Sequence, residues 1–600
     1  MKHHDRSGSV DWWRGVFICL AVVLSAPAYS FRLTSFLLAK EAVLNLCLCA
    51  VAVVVVIRGR PSLDMGCRAF FPLWLFLGLA AVLHLVLFPA PVPSDTIVEI
   101  ARYALLLTAA AFAYDLLGED VWRKRILDAL LCSTVLVAAL GVLQYAGLLP
   151  GLFPTFEDYG QRVYSVFGNQ DLYGGYLAIG IPLLVRRFLT RTRLDTVALL
   201  GIVVLLAGLL ISGSRSAWLA VAVGVLIAIP YRHVTRLGTA MLGGVCMTIV
   251  VLTVWLAPAA TSHRFAMTLG PEDHGGRLRL WFWDGTLRMV RDAPIAGQGL
   301  GNYGYWSPRY LGEALHAPGG HTHAHNELHT VRAHCEPLEI LAEAGLIGSC
   351  CWLWMLVRLI RCRGPEWGGL AALLTFSLFN AAFHSAPHAL AGLLLAGMLL
   401  AQRGTAVGAE APGESLDAAY GLAALTIMMS AFFMWAVLLP SYWLQAAEDR
   451  YLAGKPCLPQ YERVVEHPWP NARAREEYGV ALSEAGRLEE AYYQFERALD
   501  GRDTGSLYLA LGALAQSLGD HRRARQWLDA CFYRWPSSAA LWEVRFQGSP
   551  PHERKHIRER AARWGVMLDK WGRAQGPRLG VNTPKIVTST STPSSPPRTN

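Results

Sequence analysis

The sequence predicts an all-α protein: a polytopic transmembrane helical bundle followed by a small soluble domain of helical repeats. Three observations predict it. Of 600 residues, 53% are hydrophobic and only 16% charged, with a mean hydropathy of +0.32, which is too apolar for an ordinary soluble chain. Apolar runs recur from residue 15 to about residue 443, and a span takes about 20 such residues because each rises about 1.5 Å against a core of about 30 Å. After Leu444 the composition changes to amphipathic segments with an internal repeat.

About thirteen spans are expected, near 15–31, 38–57, 69–90, 97–117, 126–149, 170–190, 194–212, 216–231, 238–257, 337–357, 367–384, 387–402 and 420–443. Lipid gives backbone groups no partner, so each is read as a helix. The first run follows Lys2, Arg6 and Arg14 but lacks a small-residue cleavage site, and is expected to be an uncleaved anchor.

Lys and Arg in short loops mark the cytoplasmic side. Arg58, Arg60 and Arg68, then Arg123, Lys124 and Arg125, then Arg186, Arg187, Arg191 and Arg193 follow the second, fourth and sixth spans, and Arg232, Arg236, Arg358, Arg361 and Arg363 continue the alternation. The long segment 258–336 is therefore expected to face outward, with the soluble tail on the same side. Twelve cysteines lie mostly in spans, where a thiol is an ordinary core residue. Cys457 and Cys531 are a possible pair only if the tail is extracytoplasmic.

In the tail, Gly479, Gly486 and Ala491 recur at Gly512, Gly519 and Ala524, an offset of 33 residues, and Pro536 closes the second unit. That period, with small residues where helices cross, resembles tetratricopeptide repeats. Two such units need further helix packed on them, so the expected divisions are a membrane domain 1–444, a repeat domain 445–573 and a Ser/Thr/Pro-rich disordered tail 574–600. Partner binding or an inert helical cap are the alternatives for the repeats, and no nucleic acid is expected.

Four outward stretches interrupt the apolar pattern. They are "RVYSVFGNQDLYGGYLAIGIPLL", with Arg162, Asn169 and Asp171; "SGSRSAWLA", with Arg215; "GGRLRLWFWDGTLRMVRDAPIAGQGLGNYGYW", with Arg277 and Arg279; and "HTHAHNELHTVRAHCEPLEILAEAGLIG". An arginine at the membrane is costly unless it meets an anion, and its planar fork matches phosphate oxygens. Arg215, Arg277 and Arg279 together point to an anionic ligand, whereas any one alone could simply snorkel to lipid phosphates.

"SGSRSAW", "GRLRLW…MVRDAPIAGQGLGNY" and "H…E…LEILAEAGLIG", in this order, resemble the O-antigen ligase and Wzy-type polymerase superfamily over roughly residues 160–400. The resemblance implies a bacterial inner-membrane glycosyltransferase of the GT-C type, without metal or other cofactor. Such enzymes move a glycan from an undecaprenyl diphosphate carrier to an acceptor hydroxyl, here lipid A-core, in the periplasm. An O-antigen polymerase and a protein O-oligosaccharyltransferase remain alternatives, as do a lipid-linked glycan transporter and a membrane-tethered repeat scaffold. The chemistry fits the residues: Arg215, Arg277 and Arg279 would stabilise the departing diphosphate, and a histidine would take the acceptor proton. Inversion follows from direct attack.

The resemblance implies a His-Asn pair followed without gaps by an apolar turn and an AExGxxG stretch. His325-Asn326 supplies the pair but lies 18 residues before Glu343, whereas His334 lies nine before it and is followed by Cys335. Nine residues would be two and a half helical turns, which favours His334 as the base on a helix shared with Glu343, with His325 as the alternative. Glu343 would orient the base or cap a helix. Zinc is the competing reading of the histidines, but His325 and His329 form HxExH and not HExxH. No metal is expected.

Overall fold

Backbone groups in hydrocarbon must be satisfied within their own segment, and every regular element that forms is a helix. The computed structural model describes residues 4–58, 63–148, 162–190, 195–229, 274–320, 330–407 and 416–568, and among the described residues there is no strand. The membrane part comprises α1 (His4–Ser25), α2 (Phe36–Arg58), α3 (Leu63–Ala69), α4 (Phe71–Val82), α5 (Pro93–Gly118), α6 (Asp120–Tyr145), α7 (Gln170–Thr190), α8 (Thr196–Ser212) and α9 (Arg215–Ala228). After them come α10 (His274–Asp292), α11 (Tyr303–His316), α12 (Glu336–Ile360), α13 (Trp367–Ser377), α14 (Ala386–Val407), α15 (Leu416–Phe433) and α16 (Leu439–Leu452).

Among the described residues, six helices are long and apolar enough to cross a membrane: α2, α5, α6, α7, α12 and the run 419–452. Shorter apolar helices, α8, α9, α13 and the stretch 71–87, pack between them. The expected span near 238–257 lies outside the described residues, and the other expected spans each contain a helix. A π-helical turn, Met434–Leu438, joins α15 to α16, so the boundary expected at 444 falls inside an unbroken helix.

Residues Tyr173 to Val185 of α7 are all buried, which makes this helix the axis of the bundle. Its neighbour α9 crosses α13 where small residues let two backbones meet: a Cβ on Gly224 would stand 2.7 Å from the Gly368 carbonyl oxygen. Outward-facing Leu46, Ile57, Val86 and Met428 are exposed, as a lipid-facing surface requires.

The basic loops converge at one end. Arg187 pairs with Asp128 at 2.7 Å and Asp195 at 3.2 Å, Arg186 donates to Ala228 O, and Arg358 donates to the carbonyls of Arg68 and Ala69. Asp171 stands in the first turn of the helix whose last turn carries Arg187, about 24 Å away at about 1.5 Å per residue, so the other conspicuous polar residues mark the opposite end.

Beyond α16 follow α17 (Leu458–Val465), α18 (Ala472–Glu484), α19 (Leu488–Ala498), α20 (Gly505–Ser517), α21 (His521–Arg534), α22 (Ala539–Gln547) and α23 (Arg554–Arg563). Equivalent contacts recur at the 33-residue offset: Gly479 lies under Phe495, and Gly512 under Leu528. Cys457 and Cys531 are both buried free thiols, so the pairing considered for them does not form. Helix α21 packs on α11, where a Cβ on Gly312 would meet Tyr533 O at 2.4 Å and His316 stacks on Tyr533 with centroids 5.6 Å apart. That contact sets the repeats at the end of the bundle that carries α10 and α11. The segment 569–600, including the expected disordered tail, lies outside the described residues.

Candidate active site

The "PIAGQGLG" and "AEAGLIG" stretches meet through their backbones. Helix α12 breaks at Gly345, which has φ 62° and ψ −163°, leaving carbonyls and amides on either side without helical partners. The loop 294–299 supplies them: Gln298 N and Gly299 N donate to Ala342 O and Glu343 O at 2.8 and 3.0 Å, and Leu346 N and Ile347 N donate to Pro294 O and Ile295 O at 2.9 and 3.2 Å. The approach is so close that a Cβ on Gly345 would lie 2.2 Å from Ile295 O, and the positive φ independently favours glycine. His84 pins the same loop, with Nε2 donating to Ala296 O at 2.8 Å while Nδ1 accepts the Leu300 N–H at 3.2 Å. Asn302 ties it to α5 through Val92 and Thr96.

Glu343 accepts the Tyr303 N–H at 2.9 Å, an amide in the open first turn of α11, and so serves as that helix's cap. The shared helical face expected for His334 and Glu343 does not exist. Helix α12 begins at Glu336 with Cys335 as its N-cap, and His334 precedes it at φ 52°, a conformation that costs a non-glycine residue about 1–3 kcal/mol. The preceding residues hold it there. Thr330 and Arg332 bond to each other locally, Ser307 donates to Thr330 O, and Glu339 accepts the Ala333 N–H at 2.8 Å.

The His334 ring stacks on Phe282 of α10, with centroids 5.7 Å apart and planes at 21°. Burial, and then the charge of Arg279, pull its pKa below the ordinary 6.5, against the weaker opposing pull of Glu339 and Asp171. Both influences favour the neutral imidazole, the form able to accept a proton. Arg279 in turn lies 3.6 Å from Asp171, which Arg162 approaches at 3.2 Å. Arg162 also donates to Ser212 O at 2.9 Å, and Asn169 caps α7 by accepting from Asp171 N and Leu172 N. Arg215 opens α9 beside Ser214, which hydrogen-bonds the Asp171 carboxylate.

The expected residues Arg162, Asn169, Arg215, Arg279 and His334 thus come together at one end of the bundle. Arg277 is exposed on α10, while Arg279 is the arginine directed at Asp171. His325, with the neighbouring histidines 321, 323 and 329, lies outside the described residues. Among the described residues no group of three His, Cys, Asp or Glu side chains is arranged to hold a metal ion.

A second cluster lies beneath the 330–335 loop, and the sequence reading assigned it no role. His384 places Nδ1 2.9 Å from Glu99 and Nε2 2.9 Å from Glu339. Each ring nitrogen thus faces a carboxylate at ion-pair distance, an arrangement that favours the imidazolium. Arg332 reaches the same Glu339 oxygen at 3.1 Å, Glu99 also pairs with Arg102 at 2.7 Å, and Arg102 with Glu41 at 2.8 Å. Glu336 accepts the Phe383 N–H. The signal was present: Glu336, Glu339 and Glu343 follow i, i+3, i+7 spacing on an otherwise apolar helix, and buried carboxylates demand cations.

Residues 200–353 match the family model described as O-antigen ligase. The matched segment contains Arg215, Arg277, Arg279, His334 and Glu343, and Asp171 and His384 flank it on either side. No curated protein matches the chain. The backbone junction between the 294–299 loop and Gly345, and the loop that presents His334, both fall inside the match, so that over residues 200–353 the chain is similar to the O-antigen ligase family.

Proposed function

We propose that this membrane enzyme transfers a glycan from a polyprenyl diphosphate, such as undecaprenyl diphosphate, to an acceptor hydroxyl, and that lipid A-core is the acceptor. The family supports glycan transfer in the membrane; the donor, acceptor and residue roles are our reading. His334 removes the acceptor proton as the oxygen attacks the anomeric carbon. The bond from that carbon to the diphosphate breaks, and the carrier leaves as an anion beside Arg279 and Arg215, with Arg277 at the rim. Asp171 orients Arg279, and direct displacement inverts the anomeric configuration. In this reading the enzyme sits in the bacterial inner membrane with His334 and the repeats in the periplasm.

The observation that carries the proposal is a histidine fixed against Phe282 by the Glu339-bound loop, within electrostatic reach of Arg279 and Asp171. Preorganised cations are worth about 10²–10³ in rate at a developing anion, and a positioned base about 10²–10⁴, so no metal is required. Purified protein in nanodiscs, supplied with undecaprenyl-diphosphate glycan and lipid A-core, tests it. Transfer should persist in EDTA; loss in EDTA with recovery on zinc addition would overturn the metal-free mechanism, and no transfer to lipid A-core would overturn the acceptor.

A further inference from the structure

A cavity of about 970 Å³ lies where the bundle meets the repeats, at the upper end of the roughly 300–1,000 Å³ of ligand sites. Its walls come from the start of α5, the Gly301–Tyr305 turn, the junction of α15 and α16, and the start of α18 with the segment after α19. The 330–335 loop divides it from the site described above: Arg332 lines the cavity, while His334, two residues on, stacks against Phe282.

The lining carries five arginines, Arg332, Arg473, Arg475, Arg497 and Arg502, against three carboxylates, Asp95, Glu99 and Asp500, together with aromatic faces. Arg475 bonds to the neutral acceptors Gln494 Oε1 and Val465 O, at 3.0 and 3.2 Å. Burial first, and then the charge of Arg497, pull the Arg475 guanidinium below its usual range. Arg497 is half exposed and has Asp500 at 3.2 Å. Trp469 and Tyr305 line the same space, each only partly buried. A guanidinium pair recognises phosphate or carboxylate through its planar fork, aromatic faces suit the apolar faces of pyranose rings, and the mixed lining offers no continuous apolar track for an acyl chain.

We propose that this cavity binds an anionic saccharide, the charged stem of the acceptor glycan, through Arg475 and Arg497, with Trp469 and Tyr305 against its rings. The proposal rests on the glycan-transfer reading for its biological use, and on the cavity for its chemistry. A saccharide held here lies across the 330–335 loop from His334, so a hydroxyl further along the chain can reach the base while the stem stays anchored.

The test uses full-length protein in nanodiscs and two probes: the phosphorylated oligosaccharide released by deacylating lipopolysaccharide, and the same oligosaccharide after phosphatase treatment. Wild-type protein should bind the phosphorylated probe about 10-fold more tightly, the scale of one charged hydrogen bond. Arg475→Gln with Arg497→Gln should abolish that preference, and should raise the acceptor KM about 10-fold with kcat unchanged. Arg497→Gln alone, at an exposed position, should reduce the preference without affecting folding. Transfer that proceeds with no dependence on either arginine overturns the cavity and leaves the enzyme reading intact. Arginine-dependent binding without transfer overturns the enzyme reading and supports the cavity. An acidic peptide that binds as tightly, with the same arginine dependence, overturns the saccharide assignment.

Discussion

Glu339 grips His384 and the backbone of the His334 loop at once: one carboxylate oxygen lies 2.9 Å from His384 Nε2, and the other accepts the Ala333 N–H at 2.8 Å. Through His384 the grip extends to Glu99 and Arg102 on α5. The residue proposed as base is therefore positioned by a buried ionic network that it does not itself join.

Removing one member of a buried ion pair leaves the others unsatisfied and costs about 3–5 kcal/mol. His384→Ala should lower the melting temperature of the purified protein by several degrees and reduce transfer by loosening the loop. His384→Lys restores a cation and should recover part of the stability. A stability equal to wild type in the alanine variant would show that the network carries no load.

Arg279 and Arg277 are two residues apart on α10, yet only Arg279 reaches Asp171. Arg279→Ala should cost about 10²-fold or more in kcat, and Arg277→Ala much less, because its side chain is exposed. Asp171→Asn should fall between them by releasing Arg279. Steady-state transfer kinetics of the three variants check the order, and an equal or larger loss at Arg277 would reverse the assignment.

Gly345→Ala combines a positive φ with a Cβ 2.2 Å from Ile295 O, so the 294–299 loop must leave the break in α12. Backbone strain alone is worth about 1–3 kcal/mol. Gly147→Ala has a similar φ of 67° and nothing within 4 Å, so it isolates the strain from the clash. Thermal unfolding should show a far larger loss at Gly345 than at Gly147; equal losses would mean the loop yields freely.

The pH profile follows from His334. Its pKa is lowered below 6.5 by burial and Arg279, so the neutral, proton-accepting form predominates at pH 7 and is lost as pH falls through that lowered value. The acid limb of kcat/KM should therefore lie below pH 6.5. Arg279→Gln removes the larger of the two cationic influences that lower it, Arg332 being the other, and should move that limb upward. A limb that stays in place would separate His334 from the rate.

Hydropathy and base-rich loops made the bundle legible, and the 33-residue offset made the helix pairs legible, because both are written in local periodicity. The site was legible only in part. His334 was favoured by its spacing to Glu343, and the shared helix behind that choice is absent: Cys335 ends the loop, α12 starts at Glu336, and Glu343 turns to cap α11. Spacing cannot reveal that Gly345 breaks the helix and admits a loop from elsewhere. Nor can it pair Glu99 with His384, since long-range ionic partners leave no local period, though three glutamates on one face of α12 announced that cations must come from somewhere. Which of Arg277 and Arg279 turns toward Asp171 is not written in the sequence, because side-chain direction on α10 is settled by what packs beneath Trp281 and Phe282.

The most direct test of the account is transfer by His334→Ala and His325→Ala, each purified and assayed with the same donor and acceptor. The account predicts a loss of about 10²–10⁴-fold for His334→Ala with donor binding retained, and near wild-type turnover for His325→Ala. A fully active His334→Ala enzyme, or an inactive His325→Ala beside it, would contradict it.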